Sequence, residues 1–401
     1  MTSNPNVTFE LFKLPTLALI CCIQHMDVFE IIDLSLLSKR AANIVRDVNW
    51  KDEKIEIILS LKKESKISLK FRSHPGLKWL IGFEDEKALE NEEIPGPTTL
   101  RKIGDKTYVS FFDCVIKGPW AKLHMVFSSD CAYSNVTPLV EHLTHIFRTP
   151  VESVSLSELN DLTVQEILKW LINFQVSIDT VWMDCEEASR ETIELLLNGL
   201  KVTKDLNVRS KLPKSFKYNK VINVLKLSVS HASWVSIDQV LKGNNSFLSL
   251  SDPRFTPEDL NFILKQWSIS NVNPNLRYLE LVQDVRKNFN AEQANKRSRI
   301  VLKGVNYAKH IPDIRKPTYI PLGKSSLFQP PIGPAYDISR SDGMVGTFSQ
   351  HYCSGQTESA NIFESYVFGF HVWNRGSTNT SEVSTAATVQ EKKKKKKCAI
   401  M

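Results

Sequence analysis

Residues 248–282 read LSLSDPRFTPEDLNFILKQWSISNVNPNLRYLELV, a strand, a helix and a second strand in 35 residues. Thr256 is an N-cap type, Pro257 follows where its missing N–H costs nothing, and Asp259 sits in the first turn. Leu260, Ile263, Leu264 and Trp267 then recur at three- and four-residue steps, which predicts one apolar face of a helix over 256–267. Phe247–Leu250 before it and Asn275–Val282 after it predict strands.

Upstream the same alternation continues. Ser153–Leu156 predicts a strand, Leu162–Phe174 a helix, Ser177–Met183 a strand and Arg190–Leu200 a helix, with further strands over Leu206–Val208 and Val221–Val229. Strand starts near 153, 177, 206, 222, 247 and 276 approach the spacing of leucine-rich repeats. Repeated β/α units of that size bury their faces by stacking, so the expected fold class is α/β, an irregular leucine-rich-repeat-like β/α solenoid. A doubly wound α/β domain fits the same spacing. Downstream, Tyr336–Gln350 predicts a hairpin turning on Asp342-Gly343.

At the other end, residues 11–46 read LFKLPTLALICCIQHMDVFEIIDLSLLSKRAANIVR. Leu14-Pro15 opens a helical pattern in which Leu19, Cys22, Ile23 and Met26 share a face. Asp27 and Glu30 make a capping-box pattern for a second helix. Its apolar face runs through Ile31, Leu34, Leu37, Ala41, Ile44 and Val45, with Lys39, Arg40 and Arg46 in the last turns.

This run resembles an F-box, on Leu14-Pro15, Ile23, Met26-Asp27, Ile31, Leu34 and Leu37-Ser38-Lys39-Arg40. Ala41 stands where that family often has Trp. The 248–282 stretch resembles the F-box-associated domain, type 2, of the large nematode F-box families, on Asp259-Leu260-Asn261, Leu264-Lys265, Trp267 and Asn275–Leu281. Trp234 and Tyr336–Gln350 extend that resemblance. Residues 289–300, basic over Asn295–Arg299, look like an insertion.

The expected layout is a small helical F-box at 9–50, a β-rich mixed region at 51–150 and the F-box-associated domain at 151–374. A Ser/Thr-rich flexible linker at 375–391 and a polybasic tail at 392–401 complete it. The resemblance implies a non-catalytic substrate-recognition subunit of an SCF-type (Skp–cullin–F-box) ubiquitin ligase. An Skp-type adaptor, and through it a cullin scaffold, would meet Leu14, Pro15, Ile23, Ile31, Leu34 and Leu37, and the later domain would hold a protein target. A scaffold whose F-box-like helices only cap the next domain is the alternative.

The tail Lys392, Lys393, Lys394, Lys395, Lys396, Lys397, Cys398, Ala399, Ile400, Met401 is a C-a-a-X signal behind a basic run, and terminal Met favours farnesyl. A prenyltransferase and an anionic membrane surface are therefore expected partners. The expected location is cytoplasmic and peripheral to a membrane through Cys398, with a nuclear-localisation run as the other reading of the lysines. Composition supports no nucleic-acid partner. The formal net charge is +7, but with Lys392–Lys397 and Glu391 set aside 45 basic and 43 acidic residues remain, a net +2.

Seven cysteines without C-x-x-C spacing argue for reduced thiols rather than a disulfide framework. The longest apolar run, Leu17–Ile23, is far short of the roughly 20 residues of a membrane span. As a signal peptide the N-terminus fails on Glu10, the missing small-residue cleavage site and polar Gln24-His25. Leu322-Gly323-Lys324-Ser325 is half a phosphate loop, with Thr318 in place of the first glycine. His142 and His145 lack a third ligand at a metal spacing. Asp184, Glu186 and Glu187 read as a solvated loop beside Cys185, and no cofactor is implied.

Overall fold

The computed structural model describes residues 11–85, 98–103, 106–113, 121–128, 135–269, 272–284, 291–311, 334–356 and 362–374. The linker 375–391, the tail with Lys392–Lys397 and Cys398, and the Leu322–Ser325 turn lie outside them. The described residues divide at Val235/Ser236 into two compact units.

The first unit opens with three short helices, α1 (Thr16–Gln24), α2 (Val28–Leu36) and α3 (Lys39–Asp47). Pro15 is the N-cap of α1 rather than its first helical residue. The expected capping box starts α2: Asp27 Oδ1 accepts from the Phe29 N–H at 3.0 Å and the Asp27 N–H donates to Glu30 Oε2 at 2.7 Å. The apolar pattern alone runs on from α2 into α3. The structure breaks it at Ser38, whose extended backbone lets its hydroxyl cap the Ala41 N–H at 3.1 Å, so local side-chain hydrogen bonding overrides the periodicity.

Six strands follow: β1 (Glu56–Leu61), β2 (Lys66–Lys70), β3 (Lys78–Asp85), β4 (Thr98–Ile103), β5 (Lys106–Asp113) and β6 (Ala121–Ser128). After α4 (Val136–Phe147) come β7 (Val151–Ser157), α5 (Asp161–Phe174), β8 (Ser177–Asp184), α6 (Arg190–Gly199), β9 (Lys201–Val208) and β10 (Lys226–Val229). The strand order in this unit is β10-β9-β8-β7-β1-β2-β3-β6-β5-β4. β1 and β7 to β10 are parallel throughout, whereas β2 pairs antiparallel with both of its neighbours.

β7 to β10 lie side by side in chain order. α5 and α6 are the crossovers from β7 to β8 and from β8 to β9, and the two helices pack against each other. The inward residues Val154, Leu156, Val181, Met183, Leu206, Val208 and Leu227 are buried, as are Val164, Ile167, Leu168 and Leu171 of α5. The opposite face alternates polar and half-exposed along each strand. Of the strand expected over Val221–Val229 only Lys226–Val229 forms, paired in parallel with Asp205–Val208 of β9.

The second unit contains α7 (Ile237–Lys242), β11 (Phe247–Ser251), α8 (Pro257–Ile269), β12 (Tyr278–Asp284), α9 (Ala291–Val301), β13 (Tyr307–Lys309), β14 (Tyr336–Ser339), β15 (Met344–Gln356) and β16 (Ile362–Asn374), with strand order β13-β14-β15-β16-β12-β11. Thr256 and Asp259 cap α8 reciprocally, at 2.8 and 3.2 Å, and Leu260, Ile263, Leu264 and Trp267 are buried as the spacing predicts. Among the described residues of this unit only β11 and β12 pair in parallel. β13 to β16 are antiparallel, so the parallel β/α series read over Val151–Val282 is followed by an antiparallel set of strands.

The hairpin on Asp342-Gly343 joins β14 to β15, with Gly343 at φ +87°, a backbone that glycine adopts without strain. Gly346 has a different reason: a Cβ there would lie 2.1 Å from the Phe370 ring. The basic stretch Asn295–Arg299 belongs to α9. Asn261 of α8 donates from its side-chain amide to the carbonyls of Val301 and Lys303 at 2.7 and 2.9 Å, so this stretch is tied to the core helix.

Candidate adaptor-docking surface

Of the nine residues of α1, TLALICCIQ, only Thr16 and Gln24 are polar, yet only Leu19 and Ile23 are buried. The helix therefore presents apolar side chains to solvent. Leu17 is 79% exposed and Cys21, one turn on, shares that face. Pro15 is exposed and Leu14 half-buried, and Leu37, at the end of α2, is 71% exposed.

The six expected contact residues thus take different places. Leu14, Pro15 and Leu37 are reachable. Ile23, Ile31 and Leu34 are buried in the module's own interior and set the helix packing instead of offering side chains to a partner. Leu17 was not among the six: its position off the buried stripe was the available signal, and only the packed helix shows it bare.

The module is fixed to the strands behind it. Trp50 donates from Nε1 to the Val45 carbonyl at 2.9 Å and meets Phe147 edge-on at 5.5 Å. Phe71 bridges Phe147 and Trp79 at 5.7 and 5.2 Å, and Trp79 Nε1 reaches Asp27 Oδ2 at 3.4 Å. Arg148 pairs with Asp47 at 3.1 Å.

Ser35 of α2 donates its hydroxyl proton to the Ile32 carbonyl at 2.6 Å, which leaves its oxygen to accept from His142 Nε2 at 2.7 Å. Burial, then the neighbouring charge of His145, lowers the His142 pKa to about 4, so the ring is neutral at physiological pH. His142 is accordingly a cross-link between α2 and α4, and no group of three metal ligands occurs among the described residues.

The acidic loop after β8 is also structural. Asp184 pairs with Arg209 at 3.4 Å, and burial raises the pKa of the Cys185 thiol. A cavity of about 360 Å³ lies nearby, lined by Asp161, Glu187, Ser189 and Lys211 among others. Burial pushes the Asp161 carboxyl up, but hydrogen bonds from the Thr192 hydroxyl, the Ser189 N–H and Gln165 outweigh it and hold its pKa low. Those bonds clamp the start of α5 to the start of α6. Among the described residues no helix is long and apolar enough to cross a membrane.

Comparison with known proteins places this module in a class. Residues 11–53 match the F-box domain model, and residues 207–281 match the model described as F-box associated. The chain therefore carries an F-box followed by an F-box-associated segment.

Two uncharacterized proteins of Caenorhabditis elegans are similar to it. One is 21% identical over 352 residues, covering 85% of this chain and 75% of its own length. The other is 21% identical over 271 residues, 67% of this chain and 59% of its own length. No solved structure matches the chain.

Proposed function

We propose that this protein is a substrate-recognition subunit of an SCF-type ubiquitin ligase. The bare apolar face of α1, within the segment that matches the F-box model, carries the reading. An Skp-type adaptor would cover Leu14, Pro15, Leu17 and Leu37, linking the chain to a cullin scaffold. The sheet and the F-box-associated segment would hold a protein target, with β7 to β10 acting as a short leucine-rich-repeat-like arc. Ubiquitin transfer would belong to other subunits.

The few residues on which an interface depends cost about 2 kcal/mol or more when truncated, and a buried unpaired charge costs several more. Leu17→Asp with Leu37→Asp should therefore abolish capture of an Skp-type adaptor while leaving the fold intact, because both side chains are already in solvent. Undiminished capture would sink the ligase reading and favour the scaffold alternative, in which the three helices only cap the strands.

The membrane part of the proposal rests on the tail sequence. Farnesyl on Cys398, attached by a prenyltransferase, gives marginal binding alone. Each of Lys392–Lys397 near an anionic leaflet adds about 1 kcal/mol. Nuclear accumulation driven by the same lysines is the competing outcome.

A further inference from the structure

The strands of the second unit turn one face to α8 and α9, where Trp267 meets Phe370 edge-on at 4.9 Å and Ser298 hydrogen-bonds Gln350. Side chains on the other face fall into rows of ladder partners. One row runs through Phe247 on β11, Tyr278 on β12, His371 on β16, Thr347 on β15 and Asp337 on β14. The next runs through Ser249, Glu280, Gly369 and Ser349.

Glu280 is 8% exposed and accepts one side-chain hydrogen bond, from the Ser249 hydroxyl at 2.9 Å. Among the described residues no lysine or arginine pairs with it, and burial raises its pKa. A buried carboxylate is costly unless a partner of opposite sign meets it. The ladder supplies none, because no described position on this face from β11 to β14 is a lysine or arginine. Arg297, over the Tyr366 ring, and Arg340, over the Trp267 ring, stand on the helix side. Asp337, at the far end, already accepts from Thr347 Oγ1 at 2.7 Å and lies 2.9 Å from His310 Nδ1.

The row beside Glu280 is aromatic. The Phe247 and Tyr278 rings are 4.9 Å apart, and His371 meets Tyr278 edge-on at 6.0 Å. Burial lowers the His371 pKa to about 4, so the ring is neutral at physiological pH and does not repel a cation.

We propose that these two rows bind a lysine or arginine side chain of the target protein, its charge on the Glu280 carboxylate and its stem beside Tyr278 and Phe247. The proposal rests on the substrate-receptor reading and names the chemistry the target presents. Aromatic faces attract ammonium and guanidinium groups, and small Ser249, Gly369 and Ser349 leave room around the carboxylate. Half-buried Phe247 and Ser249 open the approach from β11. An arriving cation favours the ionised form of Glu280 and offsets its desolvation. An acidic side chain would be repelled, and an apolar one would leave the carboxyl unpaired, so charge complementarity selects a basic occupant. Phe247, Tyr278 and Glu280 all lie in the segment that matches the F-box associated model.

The test presents the full-length protein with short peptides carrying one lysine or arginine, or glutamine, norleucine or glutamate in its place. Capture of the Skp-type adaptor is measured in parallel. Binding should concentrate on the lysine and arginine peptides. Glu280→Gln keeps an oxygen for the Ser249 hydroxyl but removes the charge, and should weaken that binding by about 30-fold or more at unchanged melting temperature. Phe247→Leu, which keeps apolar bulk without the ring, should weaken it about threefold. Selection of neutral or acidic peptides, no selection at all, or undiminished binding by Glu280→Gln would overturn the proposal. So would capture of basic peptides only after Lys392–Lys397 are replaced with alanine, which would give the site to the chain's own tail. Adaptor capture reports separately: its loss with peptide selection intact would remove the ligase reading and leave this site standing.

Discussion

His142 shows how one side chain can make a fold sensitive to pH. Its ring is held neutral between Ser35 and the interior, with a pKa near 4 against roughly 6.5 in an unfolded chain. A group whose folded pKa is depressed contributes its full stability above the unfolded value. That contribution should fall as pH drops from about 6.5 towards 4, by at most about 3 kcal/mol. His142→Gln offers an amide donor to Ser35 without titrating. Its urea-unfolding stability should be flatter than wild type across that window, and parallel curves would show that the histidine does not couple pH to folding. The sequence put His142 on a helix beside His145; that it faced a serine 107 residues upstream depends on a contact no local pattern encodes.

At the scale of elements, capping decided more than periodicity. The box on Asp27 and Glu30 was legible because both partners lie within one turn, and the same holds for Thr256 and Asp259. Ser38 also caps a helix, α3, although the apolar pattern runs through it. Asp27 has a second function as acceptor for Trp79 Nε1, so it ties the start of α2 to β3. Asp27→Ala should therefore cost about 1–2 kcal/mol by thermal unfolding, near the upper end for a cap, while Asp27→Asn should recover most of it. Equal losses for both variants would show that the carboxylate charge, not the hydrogen bonds, does the work.

For the whole molecule, the prediction concerns where it resides. Cys398→Ser should release the protein from membranes in a fractionation assay. Replacing Lys392–Lys397 with alanine should keep the lipid but remove the preference for anionic vesicles at about 0.1 M salt, where the Debye length is near 10 Å. Membrane retention by the Cys398→Ser variant would retire the lipid anchor.

By itself the sequence determined the helical module, its first two helices and the capping box of the second, the strand–helix–strand stretch over 248–282 and the turn at Asp342-Gly343. Each depends on residues within a few positions of one another, where spacing and hydrogen-bonding chemistry act directly. Tertiary structure alone decided that β1 lies between β2 and β7, that the antiparallel strands β13 to β16 end the β/α alternation, and that Asn295–Arg299 joins a helix held to α8. It also separated Ile23, Ile31 and Leu34, which are interior, from Leu17 and Leu37, which are bare. In sequence all five are apolar residues in one module. Which of them face water is decided when the three helices pack on one another, by contacts that local spacing does not fix.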